Sequence, residues 1–304
     1  MSRIENEIVG AVRANGPSTG SEIVREMDAD VLAVWKTCVK SRELLVRSVG
    51  SRYMRLDRHV AGYARLSPSI LREFLTYSVV GGKDAADAVN ERCRALLERV
   101  HEISRRKFDL SRQMAREIIE QFDPGQQFRD ALCFIIAGDI VYNMAHDVPR
   151  PEHSTGKLVR GSDIDLVIVV TDDLPDNDIE RLDAAVYARK YRMLKDPAVN
   201  EEVDYKIKKL RRIGEQCSFD NFKYMVAVKI LDEGQFLAGS EEIYKKVKSM
   251  LEERGLPRKL QELEEGAVSF RKKAEELILS DSIDEKMIKD MHLFYSTEEY
   301  EEFE

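Results

Sequence analysis

Five consecutive apolar residues, Leu166-Val167-Ile168-Val169-Val170, follow directly on the acid pair of Gly161-Ser162-Asp163-Ile164-Asp165. Four of the five are β-branched, which suits a buried strand. Alternate residues of a strand point to the same side, so Asp163 and Asp165 share a face where the strand begins. The fold around this segment has to bury an apolar strand and still leave two carboxylates accessible. Asp-x-Asp also occurs at Asp28/Asp30 and Asp176/Asp178, where both pairs read as helix caps or turns. A capping pair needs no apolar strand behind it.

Two further strands are expected nearby. Leu132-Cys133-Phe134-Ile135-Ile136-Ala137 is a continuous apolar run, and Glu202-Val203-Asp204-Tyr205-Lys206-Ile207 alternates. A helix over about 178–194 is long enough to cross back over a sheet and set the strand at 202–207 beside 163–170. Burying Val203 and Tyr205 then turns Asp204 and Lys206 to the opposite face. Asp204 would complete a three-carboxylate cage with Asp163 and Asp165. The other reading of Asp204 is an exposed aspartate paired with a lysine. Such a cage suits hard Mg2+ or Mn2+, which take oxygen ligands and keep positions open for phosphate. Two such ions can activate a hydroxyl and neutralise a departing pyrophosphate. Ser218 is expected to cap a helix carrying Phe219, Phe222, Val226 and Ile230, and 241–304 reads as helical and charged.

The N-terminal segment reads as a winged helix-turn-helix. Ile4, Ile8, Val9 and Val12 have helical spacing up to Asn15-Gly16-Pro17, Ser18 or Thr19 can cap a second helix, and a third runs from about Ala29 to Lys40. Glu43 to Leu56 alternates on both sides of Gly50-Ser51, which predicts a hairpin, or wing. Residues 66–122 read as helical throughout, broken at Gly81-Gly82. Between 36 and 72 there are nine basic and two acidic residues, although the whole chain has a net charge of −8. Lys36, Lys40, Arg47, Arg52 and Arg55 fit phosphate contacts to a duplex; a protein-docking role is the other reading.

Gly161-Ser162-Asp163-Ile164-Asp165-Leu166 resembles the core motif of DNA polymerase β-like nucleotidyltransferases. In that family a first apolar strand ends in Gly-Ser, a later strand carries Asp-x-Asp, and a further strand carries the third acid. Here the first strand ends in Ala137-Gly138-Asp139, and the third acid corresponds to Asp204. Gln235-Phe236-Leu237-Ala238-Gly239-Ser240 is similar to the segment after the family domain's later helix.

The resemblance covers roughly 126–240. With the residue patterns on either side of it, the expectation is an α+β fold: a winged helix over 1–62, a helical connector over 63–125, a mixed-sheet nucleotidyltransferase core over 126–240 and C-terminal helices over 241–304. The resemblance also implies Mg2+ or Mn2+ on Asp163, Asp165 and Asp204, a nucleoside triphosphate near Gly138, Asp139, Gly161 and Ser162, and transfer of its NMP to a hydroxyl; Lys206, on the face of Asp204, reads as a triphosphate contact or as an exposed strand lysine. The acceptor stays open among a nucleic-acid 3′ end, a protein side chain and a small molecule. Two departures favour an alternative, a catalytically inactive DNA-binding regulator. Asp139 stands where the family has Ser and would repel a triphosphate. The connection before Asp163 is long, with His146 and His153 read as solvated and with Lys157 and Arg160 read as phosphate contacts or solvated.

Other classes are disfavoured. The chain has neither Gly-x-x-x-x-Gly-Lys-Ser/Thr nor Gly-x-Ser-x-Gly, and its cysteines, at 38, 93, 133 and 217, form no Cys-x-x-Cys. No apolar run approaches the roughly 20 residues of a membrane span. The expectation is a cytoplasmic chain with free thiols and no membrane partner.

Overall fold

The computed structural model describes residues 2–123, 125, 128, 130–152, 156–280 and 282–296. Its class is α+β. The chain forms two compact units, one built from residues up to Val100 together with those from Glu262 onward, the other from His101 to Gln261. These limits differ from the boundaries expected at 62, 125 and 240.

The first unit begins with α1 (Arg3–Asn15), β1 (Ser18–Thr19), α2 (Gly20–Glu26) and α3 (Val31–Lys40). Each helix start is capped: Ser2 accepts from the Glu5 amide, Thr19 and Glu22 form a capping box, and Asp30 accepts from the Leu32 and Ala33 amides. Next come β2 (Leu44–Ser48), β3 (Tyr53–Leu56), β4 (Ala64–Ser67), α4 (Ile70–Tyr77), β5 (Ser78–Gly82) and α5 (Ala86–Phe122), which continues into the second unit.

The expected hairpin around Gly50-Ser51 is not the pairing found. β2 pairs with β5 in a sheet of order β1-β5-β2, while β3 pairs with β4. Fully buried Val79 and Val80 make β5 the central strand, and the apolar edge of β2 joins it. Gly81 and Gly82 therefore lie in a strand rather than breaking a helix, and 66–122 is strand, helix, strand and helix. The core around Ile8, Val34, Trp35 and Phe74 also takes in Ala274, Ile278, Ile288 and Phe294, so this module does not close within its first 62 residues.

In the second unit, β6 (Leu132–Ala137) leads through two short strands, β7 (Pro149–Pro151) and β8 (Leu158–Arg160), to β9 (Ile164–Val170). Then follow α6 (Asp176–Lys195), β10 (Val203–Lys209), α7 (Leu210–Gln216), α8 (Phe222–Glu233), β11 (Gln235–Gly239) and α9 (Glu241–Glu252). α10 (Leu256–Leu279) leads back to the first unit, which ends with α11 (Glu285–Asp290). The cap of α8 is Asn221, not Ser218, because the chain first makes α7.

The four strands β10-β9-β6-β11 form a mixed sheet, with β10 parallel to β9 and the other pairs antiparallel. One face carries Phe134, Ile136, Leu166, Ile168 and Val203 against Met114, Ile118 and Phe122 of α5 and Leu182 and Val186 of α6. Alternation turns Ile135, Ala137, Asp165, Val167, Asp204 and Lys206 to the other face. No described helix is long and apolar enough to cross a membrane, and Cys38, Cys93, Cys133 and Cys217 are free thiols.

Candidate active site

The register of the sheet brings the acids together. Asp204 of β10 lies opposite Asp165 of β9, and Ala137 of β6 lies opposite Asp165 on its other side. Paired strands stand about 4.8 Å apart, so Asp165 and Asp204 project side by side from one face. Asp163 sits just before β9, half-buried like Asp165 and Asp204.

Gly138 turns the chain out of β6 with φ of 74°, and a Cβ there would lie 2.4 Å from Asp165 Oδ2. A side chain at 138 would displace that carboxylate. Gly161, with φ of 59°, is required for a similar reason: its Cβ would stand 2.0 Å from the His146 carbonyl oxygen. His146 is therefore packed into the site rather than solvated, and it is buried. His153 lies outside the described residues.

Asp139 is turned toward the protein: the Ser162 hydroxyl donates to its Oδ2 at 2.7 Å. That same hydroxyl accepts from the His146 amide at 3.2 Å. The Gly138 amide donates to Glu233 Oε1 at 3.1 Å, and the Tyr142 hydroxyl donates to Glu233 Oε2 at 2.7 Å. Lys229 pairs with the same carboxylate.

Two buried cations, Lys107 and Arg150, hold the Gly161-Ser162-Asp163 turn. Lys107 of α5, with no exposed side-chain surface, donates at 2.7 Å to the carbonyls of Arg160 and Ser162 and pairs with Glu201. Burial pushes this ammonium below its usual value, with Glu201 and Asp163 opposing, and burial pushes Glu201 up, with Lys107 opposing. Arg150 of β7 donates to the Gly161 carbonyl at 2.8 Å, stands 2.8 Å from Glu202 Oε2, and reaches within 3.7 Å of Asp163 Oδ1. The long connection thus delivers Arg150 to the acids. Glu202 is pushed up by burial; Arg150 pulls it down, while Asp163 and Asp204 add to the rise.

Asp204 also has a cationic neighbour, since Lys190 of α6 donates to its Oδ1 at 3.0 Å. The lysine-paired reading of Asp204 is the one seen, and the register sets it next to Asp165. As these side chains stand, no group of three or more His, Cys, Asp or Glu among the described residues closes on a common ion. The donor type suits a hard divalent cation, since Asp163, Asp165 and Asp204 carry carboxylate oxygens and the register sets Asp165 and Asp204 on adjacent strands. Holding an ion would require Asp204 to exchange Lys190 for it.

Lys206 is exposed two residues beyond Asp204, and half-buried Lys208 follows on the same face. Burial, together with Arg212 and Lys206, pushes Lys208 down to about 8. In the other unit, Lys36 and Lys40 lie on α3, Arg47 on β2 and Arg55 on β3. Arg52 is already engaged there, donating through two nitrogens at 2.7 Å to buried Glu73.

No protein-family model, curated protein or solved structure matches the chain.

Lys107, Arg150, Lys190, Glu201, Glu202 and Glu233 were not among the residues expected from sequence. Lys107 had a legible signal: it follows Ile103 by four and precedes Met114 by seven, a cation on an apolar helical stripe. The others meet partners at a distance along the chain, Glu201 with Lys107, Glu202 with Arg150, Glu233 with Gly138 and Lys190 with Asp204, and no local pattern pairs them.

Proposed function

We propose that the unit from His101 to Gln261 is a metal-dependent nucleotidyltransferase of the polymerase β type, moving an NMP from a nucleoside triphosphate to a hydroxyl acceptor. The observation that carries this reading is the registered pair Asp165 and Asp204, next to the Gly138 turn and with Asp163 two residues away. Asp163, Asp165 and Asp204 would hold Mg2+ or Mn2+. When bound, the ion supplies Lewis-acid neutralisation of phosphate charge. Asp204, at the sheet edge, would take the acceptor hydroxyl's proton. The acceptor oxygen forms a bond to the α-phosphorus as the bond to pyrophosphate breaks. Lys206 and Lys208, on the same face, offer positive charge to the leaving pyrophosphate. Lys107 and Arg150 position the turn that carries Asp163.

Two observations favour a second reading, an inactive nucleotidyltransferase fold in a DNA-binding regulator. The Gly138 amide, which would face a phosphate, is held by the Glu233 carboxylate, and Asp139 replaces the family's Ser.

The test incubates the full chain with labelled nucleoside triphosphates, Mg2+ or Mn2+, and total cellular RNA and protein. Wild type should label an acceptor. Asp163→Ala and Asp165→Asn should each lose roughly a hundredfold or more, beyond what disturbing outer ligands costs. Without metal their melting temperatures should equal or exceed wild type, since each change relieves repulsion between carboxylates. Absence of labelling, with no stabilisation by Mg2+ or Mn2+, would favour the inactive regulator.

A further inference from the structure

α6 separates its charges along its length. From Ala184 to Lys195 it carries Arg189, Lys190, Arg192 and Lys195 and no acid. Part of that suits the helix dipole, which favours cations near the C-terminal end. The dipole gives no reason for aromatic rings on the same surface, yet Tyr187 is 59% and Tyr191 54% exposed. Tyr187, Lys190 and Tyr191 stand at i, i+3 and i+4 and so share one side of the helix. Lys190 is the residue that reaches Asp204. The two rings therefore flank the cation that touches the candidate third acid.

The far end of this ridge is strongly positive. Lys195 stands over the Tyr191 ring, with its ammonium 5.3 Å from the centroid. Exposed Lys157, just before β8, approaches Lys195 closely enough that its own ammonium is pushed below its usual value. Arg192, three residues before Lys195 and so a neighbour on the helix surface, is exposed. Two like charges brought together on a surface suit an anion between them. Aromatic faces with cations beside them, leading to acids that would act on a hydroxyl, match the chemistry of a strand with splayed bases and a phosphate backbone. A duplex hides its base faces, and an acidic peptide has no flat rings to lay on paired tyrosines.

We propose that the α6 ridge of Tyr187, Tyr191, Arg192 and Lys195, with Lys157 beside it, binds single-stranded nucleic acid and directs its 3′ end toward Asp204. The inference rests on the nucleotidyl-transfer reading and names its acceptor class. Bases stack on the two tyrosines, phosphates meet Arg192, Lys195 and Lys157, and the strand end comes to lie beside Lys190 and Asp204.

The test measures binding alone, by fluorescence anisotropy of the full chain with a labelled single-stranded RNA of roughly 12 nucleotides in EDTA. Without metal no transfer occurs, so failure here and failure of the labelling test are read separately. Each Tyr→Ala change should weaken binding about tenfold and the double variant about a hundredfold. The Tyr187→Phe/Tyr191→Phe variant should bind like wild type. Three phosphate contacts predict that log affinity falls with log salt with a slope of about 2. A duplex of equal length should bind more weakly than the single strand. The proposal is overturned if the double alanine variant binds like wild type, or if Lys40→Glu/Arg55→Glu abolishes binding instead. It is also overturned if wild type does not bind the strand, which would leave the ridge to a protein partner.

Discussion

Replacing Lys107 by methionine tests how the Gly161-Ser162-Asp163 turn is held. The side chain has no exposure and supplies three interactions: two carbonyls at 2.7 Å and the Glu201 carboxylate, itself 3% exposed. Methionine fills much the same volume, so the cost is electrical rather than steric. It strands a buried carboxylate, for which breaking a buried pair costs about 3–5 kcal/mol. Arg106, 3.7 Å from Glu201 Oε1, offsets part of this. The expected loss is therefore about 3 kcal/mol, measured by urea unfolding followed by far-UV circular dichroism. For a unit of this size that lowers the melting temperature by roughly 6–12 °C. Adding Glu201→Gln removes the stranded charge, and Lys107→Met/Glu201→Gln should recover about 2 kcal/mol of the loss. A single variant as stable as wild type, or a double variant no better than the single, would refute the idea that Lys107 neutralises Glu201 while clamping the turn.

Two further perturbations depend on pH. The Lys208 pKa is about 8 in the fold against an ordinary 10.5, so between those values the unfolded chain binds more protons, and stability should rise with pH across that window. The difference in urea midpoint between wild type and Lys208→Met should change across the window; a constant difference would show that the lysine is not desolvated. In the other unit, Arg271 donates to Glu73 at 2.7 Å and to the Pro68 carbonyl at 2.8 Å. Burial opposes the charge of Glu73, yet Arg52 and Arg271 hold it below the usual carboxylate range. Arg271→Met should cost about 3 kcal/mol near neutral pH, read from Trp35 fluorescence. Because the folded pKa of Glu73 is depressed, that difference should shrink as pH falls below about 4.5 and through the folded value.

Local patterns carried much of this molecule. The strands at 132–137, 164–170 and 203–209 follow from apolar runs and alternation, α6 from its period, and Asp30 from cap chemistry. The facing of Asp204 was legible because Val203 had to be buried. Strand partners were not legible. Alternation around Gly50 marks two strands equally well whether they pair with each other or, as they do, with β5 and β4. The pairing was decided by the burial of Val79 and Val80, some 30 residues away. In the site, carboxylates on one strand announce themselves by spacing, whereas Arg150 and Glu233 act across loops whose return path no short window contains.

The core shared by residues before Val100 and after Glu262 also bears on synthesis. A ribosome making roughly 5–20 residues per second takes roughly 10–40 s to pass from Val100 to Phe294. During that interval α1 to α4 have no Ala274, Ile278 and Phe294 to cover them, and the unit from His101 to Gln261 is completed before those residues are made. Folding order would then run from the middle outward. A nascent chain stalled before α10 would present the apolar side of Trp35 and Phe74 to whatever chaperone or neighbour it met.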